Sequence, residues 1–261
     1  MKSAEVASRY SSDALAYLKL WAPVLNPHAR RLLAALPLSE ASRVIDIGSG
    51  VGALLADISG AAPRAFVVAV DGSHGMLRLA PAGHGLAVCD ARHLALGTGV
   101  FDAAVMAFML FHVPSPLDAL VEAARVLRPG GAIGATTWDG EPSFPALQAW
   151  NEELDAHGAA PAEPAIADHE PVSTPAKVGS LLRRAGFASV SAWSSPFEHR
   201  FTLEGFIAKG TELGGSRRRV ESLTPAAKAS FMAGARRRLA TMPPADFTDD
   251  GQIIFATARR P

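Results

Sequence analysis

The stretch Val44-Ile45-Asp46-Ile47-Gly48-Ser49-Gly50-Val51-Gly52 constrains this chain more than any other. An apolar run of strand character ends in three alternating glycines and leads straight into Ala53-Leu54-Leu55-Ala56, a sequence suited to helix. Glycine is required where the backbone takes positive φ or lets a ligand approach the main chain closely. A strand, a glycine turn and a helix N-terminus in that order form a platform for a nucleotide-like molecule. Gly-x-Gly-x-Gly alone is a weak signal, and it gains weight from the order of the motifs downstream of it.

Strand-like runs at 43–47, 65–70, 85–89, 101–108 and 132–137 alternate with segments of helical character at 52–59, 75–79 and 116–127. That alternation predicts a parallel sheet with helices on both faces. The runs lack polar alternation, as strands buried on both faces do. Ahead of them, residues 3–36 carry Leu15, Leu18, Trp21 and Leu25 at helical spacing, with Pro27 expected to open the second of two helices. Beyond Trp138, residues 139–175 are rich in Pro, Ala and acidic groups, with one helix expected over 146–157. A further helix is expected over 174–185, with Thr174 as N-cap, Pro175 in the first turn and Gly186 as the stop. Closing strands are expected at 190–193 and 253–258, separated by a largely helical insertion holding Arg217-Arg218-Arg219 and Arg236-Arg237-Arg238.

Five features fall in order. After the glycine turn, Asp71 ends the run Val67-Val68-Ala69-Val70, where a carboxylate can accept from both hydroxyls of a ribose. Cys89-Asp90-Ala91 ends the third run, where an acid can accept from an adenine amino group. Phe101-Asp102-Ala103-Ala104-Val105 leads to Phe111-His112-Val113, and Leu127-Arg128-Pro129-Gly130-Gly131 stops a helix before the fifth run. With these motifs over about residues 40–138, the chain resembles the class I S-adenosylmethionine-dependent methyltransferases, particularly the small-molecule and quinone-type branch.

The resemblance implies an α/β fold: a Rossmann-like, doubly wound, seven-stranded sheet with an antiparallel last strand and a helical cap. Its expected division is an N-terminal helical segment (1–40), a cofactor domain (41–200 with 246–261) and an inserted cap (201–245) over the acceptor pocket. It places Gly48, Ser49 and Gly50 against the methionine part of S-adenosylmethionine, Asp71 on the ribose, and Gly72 and Met76 beside the adenine. Asp90 and Ala91 would meet the adenine edge, and Ala107 and Phe108 the sulfonium. Tyr10, Tyr17 or Trp21 would cover the methionine end. Each residue also has a plainer reading. Gly52 can serve helix–sheet packing, Asp46 can bind the turn amides, Met76 can be core, and Asp102 can be structural. Cys89 can be inert core, and each Arg triplet a solvated helix face.

The methyl acceptor is expected to be a small, fairly apolar metabolite, methylated at oxygen or carbon in secondary or quinone-type biosynthesis. His112 is the first candidate for a general base, because it follows the fourth strand at the reactive end and histidine titrates near neutrality. His199, Asp139 and His169 are lesser candidates, and a phenol or enol acceptor could dispense with a base. An enzyme of this fold that binds the cofactor but catalyses a cyclisation or decarboxylation is the alternative. It would leave the cofactor unconsumed.

Composition narrows the rest. Lys plus Arg (25) balance Asp plus Glu (25), which removes a whole-chain electrostatic drive toward nucleic acid or anionic membrane. A single cysteine excludes internal disulfides and Cys-based metal clusters and points to a reducing cytoplasm. The scattered histidines give no metal-ligand spacing, so no metal is expected. No run is long enough to span a bilayer, and a homodimer is an admissible assembly.

Overall fold

The computed structural model describes residues 3–162 and 168–261. Residues 1–2 of the expected N-terminal segment and 163–167 of the Pro/Ala/acidic stretch lie outside them. Seven strands form one sheet: β1 (Arg43–Ile47), β2 (Phe66–Asp71), β3 (Gly85–Val88), β4 (Phe101–Ala107), β5 (Leu127–Trp138), β6 (Ala188–Arg200) and β7 (Thr248–Arg259). Their spatial order is β3-β2-β1-β4-β5-β7-β6. The first five are mutually parallel, and β7 runs antiparallel to both β5 and β6. The chain winds outward from β1 through β2 to β3, then returns to the other side of β1 with β4. The carboxyl ends of β1 and β4 therefore flank the topological switch point, where open α/β sheets place their ligands.

Four of the five β1 residues are buried, and β5 is buried continuously from Gly131 to Thr137. This explains the unbroken apolar runs: helices cover both faces. Helices α1 (Ser3–Leu20) and α2 (Ala22–Ala34) precede the sheet. The break between them falls at Trp21, not before Pro27 as expected; Pro23 occupies the first turn of α2 and Pro27 lies in its interior. Proline is tolerated in a first turn, whose N–H groups lack partners anyway, so Pro23 suits that place and Pro27 costs the ladder one N–H. Next come α3 (Leu55–Ala61), α4 (His74–Leu77), α5 (Pro116–Val126), α6 (Pro145–Ala156) and α7 (Pro175–Arg184). Helix α3 begins three residues later than expected because Gly52 takes φ +70° and so leaves the helical region. Helix α7 follows its sequence signals: Thr174 Oγ1 accepts from Lys177 N–H at 3.2 Å, and Gly186 ends the segment at φ +91°.

Two departures concern the strands. Strand β5 starts at Leu127, directly after α5, and Arg128–Gly131 form an irregularity within it instead of a turn before it. The pair β6 and β7 is much longer than its apolar centres predict, because their polar, half-exposed ends still pair, down to Arg200 opposite Thr248. The plainer reading of Asp102 holds. Its Oδ2 accepts from the Ser42 and Arg43 amides at 2.6 and 2.8 Å, and Oδ1 pairs with Arg128 at 2.8 Å.

Between β6 and β7 the chain adds α8 (Leu203–Glu212), α9 (Gly214–Glu221) and α10 (Pro225–Ala240). These helices share a separate apolar cluster with α6, built on Trp150, Phe201, Phe206, Phe231 and Leu239. The main core lies against the sheet. Two apolar bodies thus meet along the carboxyl edge of the strands.

Candidate active site

The floor of the site is main chain. Gly48 at φ +73° and Gly50 at φ +56° turn the chain off the end of β1. A Cβ on Gly48 would stand 2.6 Å from Met109 Cβ, so both the dihedral and the space require glycine there. The Gly48 and Ser49 amides donate to the Val70 carbonyl at 2.8 and 3.1 Å, and the Gly50 amide donates to Asp71 Oδ2 at 2.8 Å. Asp71 Oδ1 accepts from the Ser73 amide at 2.7 Å. Burial raises the Asp71 pKa, and those two backbone donors oppose the rise. Asp46, at the heart of β1, is 2% exposed; burial, reinforced by the charge of Asp71, pushes its pKa up to about 7. Asp46 does not take the turn amides, which go to Val70 and Asp71 instead.

These groups border a cavity of about 580 Å³, within the range of about 300–1,000 Å³ for small-molecule sites. Gly48, Ser49, Gly50, Asp71, Gly72, Met76, Asp90, Ala91, Ala107 and His112 all line it. The sequence singled out these ten residues from four separate strand ends, and the fold brings them to one wall. Gly52 stands outside the wall. A Cβ there would strike Leu55 Cδ1 at 2.8 Å, which supports its packing role. Met76 is both core and wall: it is 3% exposed, and its Cε lies 3.2 Å from where a Gly50 Cβ would sit. Cys89 is half-buried and borders the cavity, so it is not enclosed in the core as expected. Asp90 arrives already engaged, its Oδ1 and Oδ2 held by the Arg92 guanidinium at 3.1 and 2.8 Å.

Helix α1 lies across the opening. Ser11 Oγ meets Ser73 Oγ at 2.8 Å, and a side chain at Gly75 would collide with Ser11 Cα at 2.7 Å, so α1 rests directly on the start of α4. Tyr10 Oη meets His112 Nε2 at 2.7 Å, with the rings edge to face. Burial pushes the Tyr10 and Tyr17 phenols well above the usual tyrosine range, helped by Asp71, so both stay neutral. Tyr10, Tyr17 and Trp21 all line the cavity. Among the lesser candidates, Asp139 and His169 line it, and His169 has its pKa lowered by burial and stacks on Phe111 at 4.4 Å. His199 is not part of the lining; it packs edge-on against Phe201 at 4.3 Å.

The far wall is side chain and mostly aromatic: Trp138, Phe197, Phe206 and Trp150. Within it stand two groups that the sequence did not single out. Lys209 on α8 lies 4.6 Å over the Trp21 ring, and Asp249 on β7 is 6% exposed. Burial lowers the Lys209 pKa against the pull of Asp249; burial raises Asp249 to about 6 against the pull of Lys209. A signal existed in the lone lysine of the apolar run Phe206-Ile207-Ala208-Lys209-Gly210.

The first Arg triplet is also not a solvated face. Asp13 of α1, 5% exposed, receives Arg217 at 2.8 Å, Arg218 at 3.6 Å and the Gly214 amide at 2.9 Å. Arg219 is buried and binds Asn151 Oδ1, Asp155 and the Ala160 carbonyl. The second triplet stays at the surface, where Arg236 pairs with Glu204 and Arg238 with Glu152.

The chemistry of the floor suits a cationic ligand bearing hydroxyls. Two carboxylates, Asp46 buried and Asp71 half-buried, face it, and Ser49 Oγ is buried there with no hydrogen-bond partner among the described residues. Among the described residues no three His, Cys, Asp or Glu side chains gather as a metal site, and no helix is long and apolar enough to cross a membrane.

Comparison with known proteins agrees with this geometry. A family described as a methyltransferase domain matches residues 45–134, the stretch from β1 into β5. A malonyl-[acyl-carrier protein] O-methyltransferase of Geobacter sulfurreducens is 35% identical over 183 residues, 67% of this chain and 67% of that protein. A ubiquinone/menaquinone biosynthesis C-methyltransferase of Syntrophotalea carbinolica is 39% identical over 105 residues, 38% of this chain. That match spans 44% of the relative, so the likeness covers less than half of its length. Among solved structures, a phosphoethanolamine N-methyltransferase 2 of Haemonchus contortus with S-adenosyl-L-methionine superposes with a TM-score of 0.59. It is 18% identical and covers 100% of this chain and 60% of that one, a likeness of fold. With a relative alike over two thirds of both chains and the glycine turn, Asp71 and Asp90 arranged about one crevice, the chain belongs to the class I S-adenosylmethionine-dependent methyltransferases.

Proposed function

We propose that this protein transfers the methyl group of S-adenosylmethionine to a small, fairly apolar acceptor held under the 201–245 cap. One observation carries the reading: one cavity has a polar, main-chain floor with the carboxylates of Asp46 and Asp71 and an aromatic roof. When bound, the cofactor supplies an electrophilic methyl on a cationic sulfur. Gly48, Ser49 and Gly50 bind its methionine part, and the Ser49 hydroxyl gains the partner it lacks. Asp71, held by Gly50 and Ser73, accepts from the ribose hydroxyls with its remaining lone pairs. Gly72 and Met76 flank the adenine, Asp90 and Ala91 meet its edge, and Ala107 borders the sulfonium. Asp46 and Asp71 offset the positive charge.

The remaining work of the chain is alignment and exclusion of water, which is worth roughly 7–11 kcal/mol in well-positioned reactions. Phe108, held at φ +55° by its amide on Thr136, sets its ring 5.0 Å from Trp138 at the junction of floor and roof. Such a conformation is costly for a bulky residue and concentrates at functional sites. His112 receives the acceptor proton at Nε2, with Tyr10 giving up its hydrogen bond as the acceptor enters.

The test is calorimetric titration with S-adenosylmethionine, followed by mass spectrometry of acceptor mixtures. Saturable binding and products heavier by one methylene are the expected result; a protein that fails to bind the cofactor is not this enzyme. His112→Gln is expected to cut turnover by about 10²–10⁴-fold while sparing cofactor affinity. Full turnover in that variant removes His112 from the chemistry.

A further inference from the structure

Lys209 is a half-buried cation of the cavity lining, and none of the cofactor-binding or proton-transfer roles proposed above falls on it. It projects from α8 at a fixed register, because a Cβ on the adjacent Gly210 would strike Trp150 Cζ2 at 2.7 Å, so α8 lies flush against α6. Its ammonium sits 4.6 Å over Trp21 and 5.3 Å over Phe201, two rings stacked within 4° of parallel. No hydrogen bond or salt bridge reaches Lys209 among the described residues; Asp249 acts on it only at longer range. Aromatic faces compensate an ammonium only in part, and its three N–H donors have no hydrogen-bond acceptor among the described residues. A buried charge persists at a cost unless something pairs with it. On the far wall the missing partner is an anion that arrives with the acceptor.

We propose that Lys209 is the specificity-determining cation of the acceptor site, and that the acceptor is an apolar, ring-bearing molecule carrying a carboxylate. That this molecule is methylated rests on the methyltransferase reading; that it binds beside Lys209 does not. The apolar body follows from the lining: Trp21 lies under the ammonium, and Trp138, Phe197 and Phe206 border the same cavity. The limit of one charge follows from the wall, where Lys209 stands near Asp249 while the exposed Asp139, Glu141 and Asp250 also line the cavity, leaving room for little added negative charge. Arg218, another cation of the lining, is already committed to Asp13. A dianionic phosphate monoester would bring a second negative charge against Asp249 with no cation to meet it, whereas a carboxylate brings one. The floor carries the opposite sign, with Asp46 and Asp71, so cationic donor and anionic acceptor are drawn to opposite ends of one chamber.

The test compares 2-naphthoate with 2-naphthamide, which share shape and differ in charge, by ligand-detected NMR titration of the full chain saturated with S-adenosylhomocysteine. Wild-type protein is expected to bind naphthoate at least about tenfold more tightly than naphthamide. Lys209→Met should bring that ratio to about one and leave naphthamide within about twofold, and Lys209→Arg should retain most of the preference. A wild-type ratio near one, naphthoate failing to bind at millimolar concentration, or a preference that survives Lys209→Met would each overturn the proposal. Affinity for S-adenosylhomocysteine, titrated by calorimetry into the unliganded proteins, judges the methyltransferase reading separately.

Discussion

The two walls of the cavity are built on different principles. The floor is backbone: left-handed glycines, amides committed to Val70 and Asp71, and short parallel strands buried on both faces. The roof is side chain, assembled from α1, α6, α8 and the ends of β6 and β7, residues far apart in sequence. The floor depends on local geometry that requires glycine at Gly48, and the roof on ring faces and one half-buried cation brought together by the fold. The contrast teaches that one cavity can pair a wall fixed by its backbone with a wall set by its side chains, which the proposed function assigns to cofactor and acceptor.

Substitutions can break or sharpen this contrast. The largest effect is expected from Gly48→Ala, which combines a left-handed dihedral with a collision against Met109. A loss of about 2–5 kcal/mol, or roughly 5–15 °C in melting temperature by calorimetry, follows from strain plus overpacking. A variant that melts like wild type would show the floor to be more pliant than its geometry implies. Next, Asp71→Ala removes the acceptor of two backbone amides and, in the proposed site, of the ribose. Affinity for S-adenosylhomocysteine is expected to fall about 10–100-fold by titration calorimetry, from about 1–3 kcal/mol of lost hydrogen bonding.

On the roof side, Asp13→Ala deprives Arg217, Arg218 and the Gly214 amide of their common anion. Stability is expected to drop by about 1–3 kcal/mol in urea titration, with hydrogen exchange rising in α1 and α9 before the strands. Exchange rising equally in β1 would erase the distinction between the walls.

The pH dependence of Asp46 tests the floor again. Its folded pKa stands at about 7, above the ordinary aspartate value of 3.8. The folded state therefore binds the proton more tightly than the unfolded chain. That contribution to stability is complete below the ordinary value and is lost as pH rises through about 7. Asp46→Asn lacks this loss, so its melting temperature should gain on wild type as pH climbs from the ordinary aspartate value to about 7. A constant difference would place Asp46 in contact with water or a cation. For the same reason, wild-type affinity for the cationic cofactor should tighten over that interval. The smallest effect belongs to Tyr10→Phe, which loses the hydrogen bond to His112 and little else. Turnover a few-fold altered with unchanged cofactor affinity is expected, from about 0.5–1.5 kcal/mol.

Floor and roof were unequally legible in the sequence. The strand runs, the glycine turn, Asp71, Asp90 and the cap of α7 by Thr174 could all be read, because each depends on residues within a few positions of one another. The readings that failed involve distant partners. The Arg217-Arg218-Arg219 run resembles a solvated face until Asp13 and Asp155 are brought to it. Lys209 is an ordinary helical lysine until Trp21 and Phe201 come beneath it. The ends of β6 and β7 look like loop because their pairing, not their side chains, makes them strand.

By itself the sequence determined the parallel core and the position of its ligand edge, since apolar runs without alternation must be buried on both faces and glycines in that turn leave the backbone one path. The tertiary structure alone decided what faces that edge: which aromatic rings form the acceptor wall, which arginines are neutralised, and that an ammonium is left inside. Burial and Coulomb interaction depend on distance through space, and for residues at opposite ends of the chain only the closed fold sets that distance.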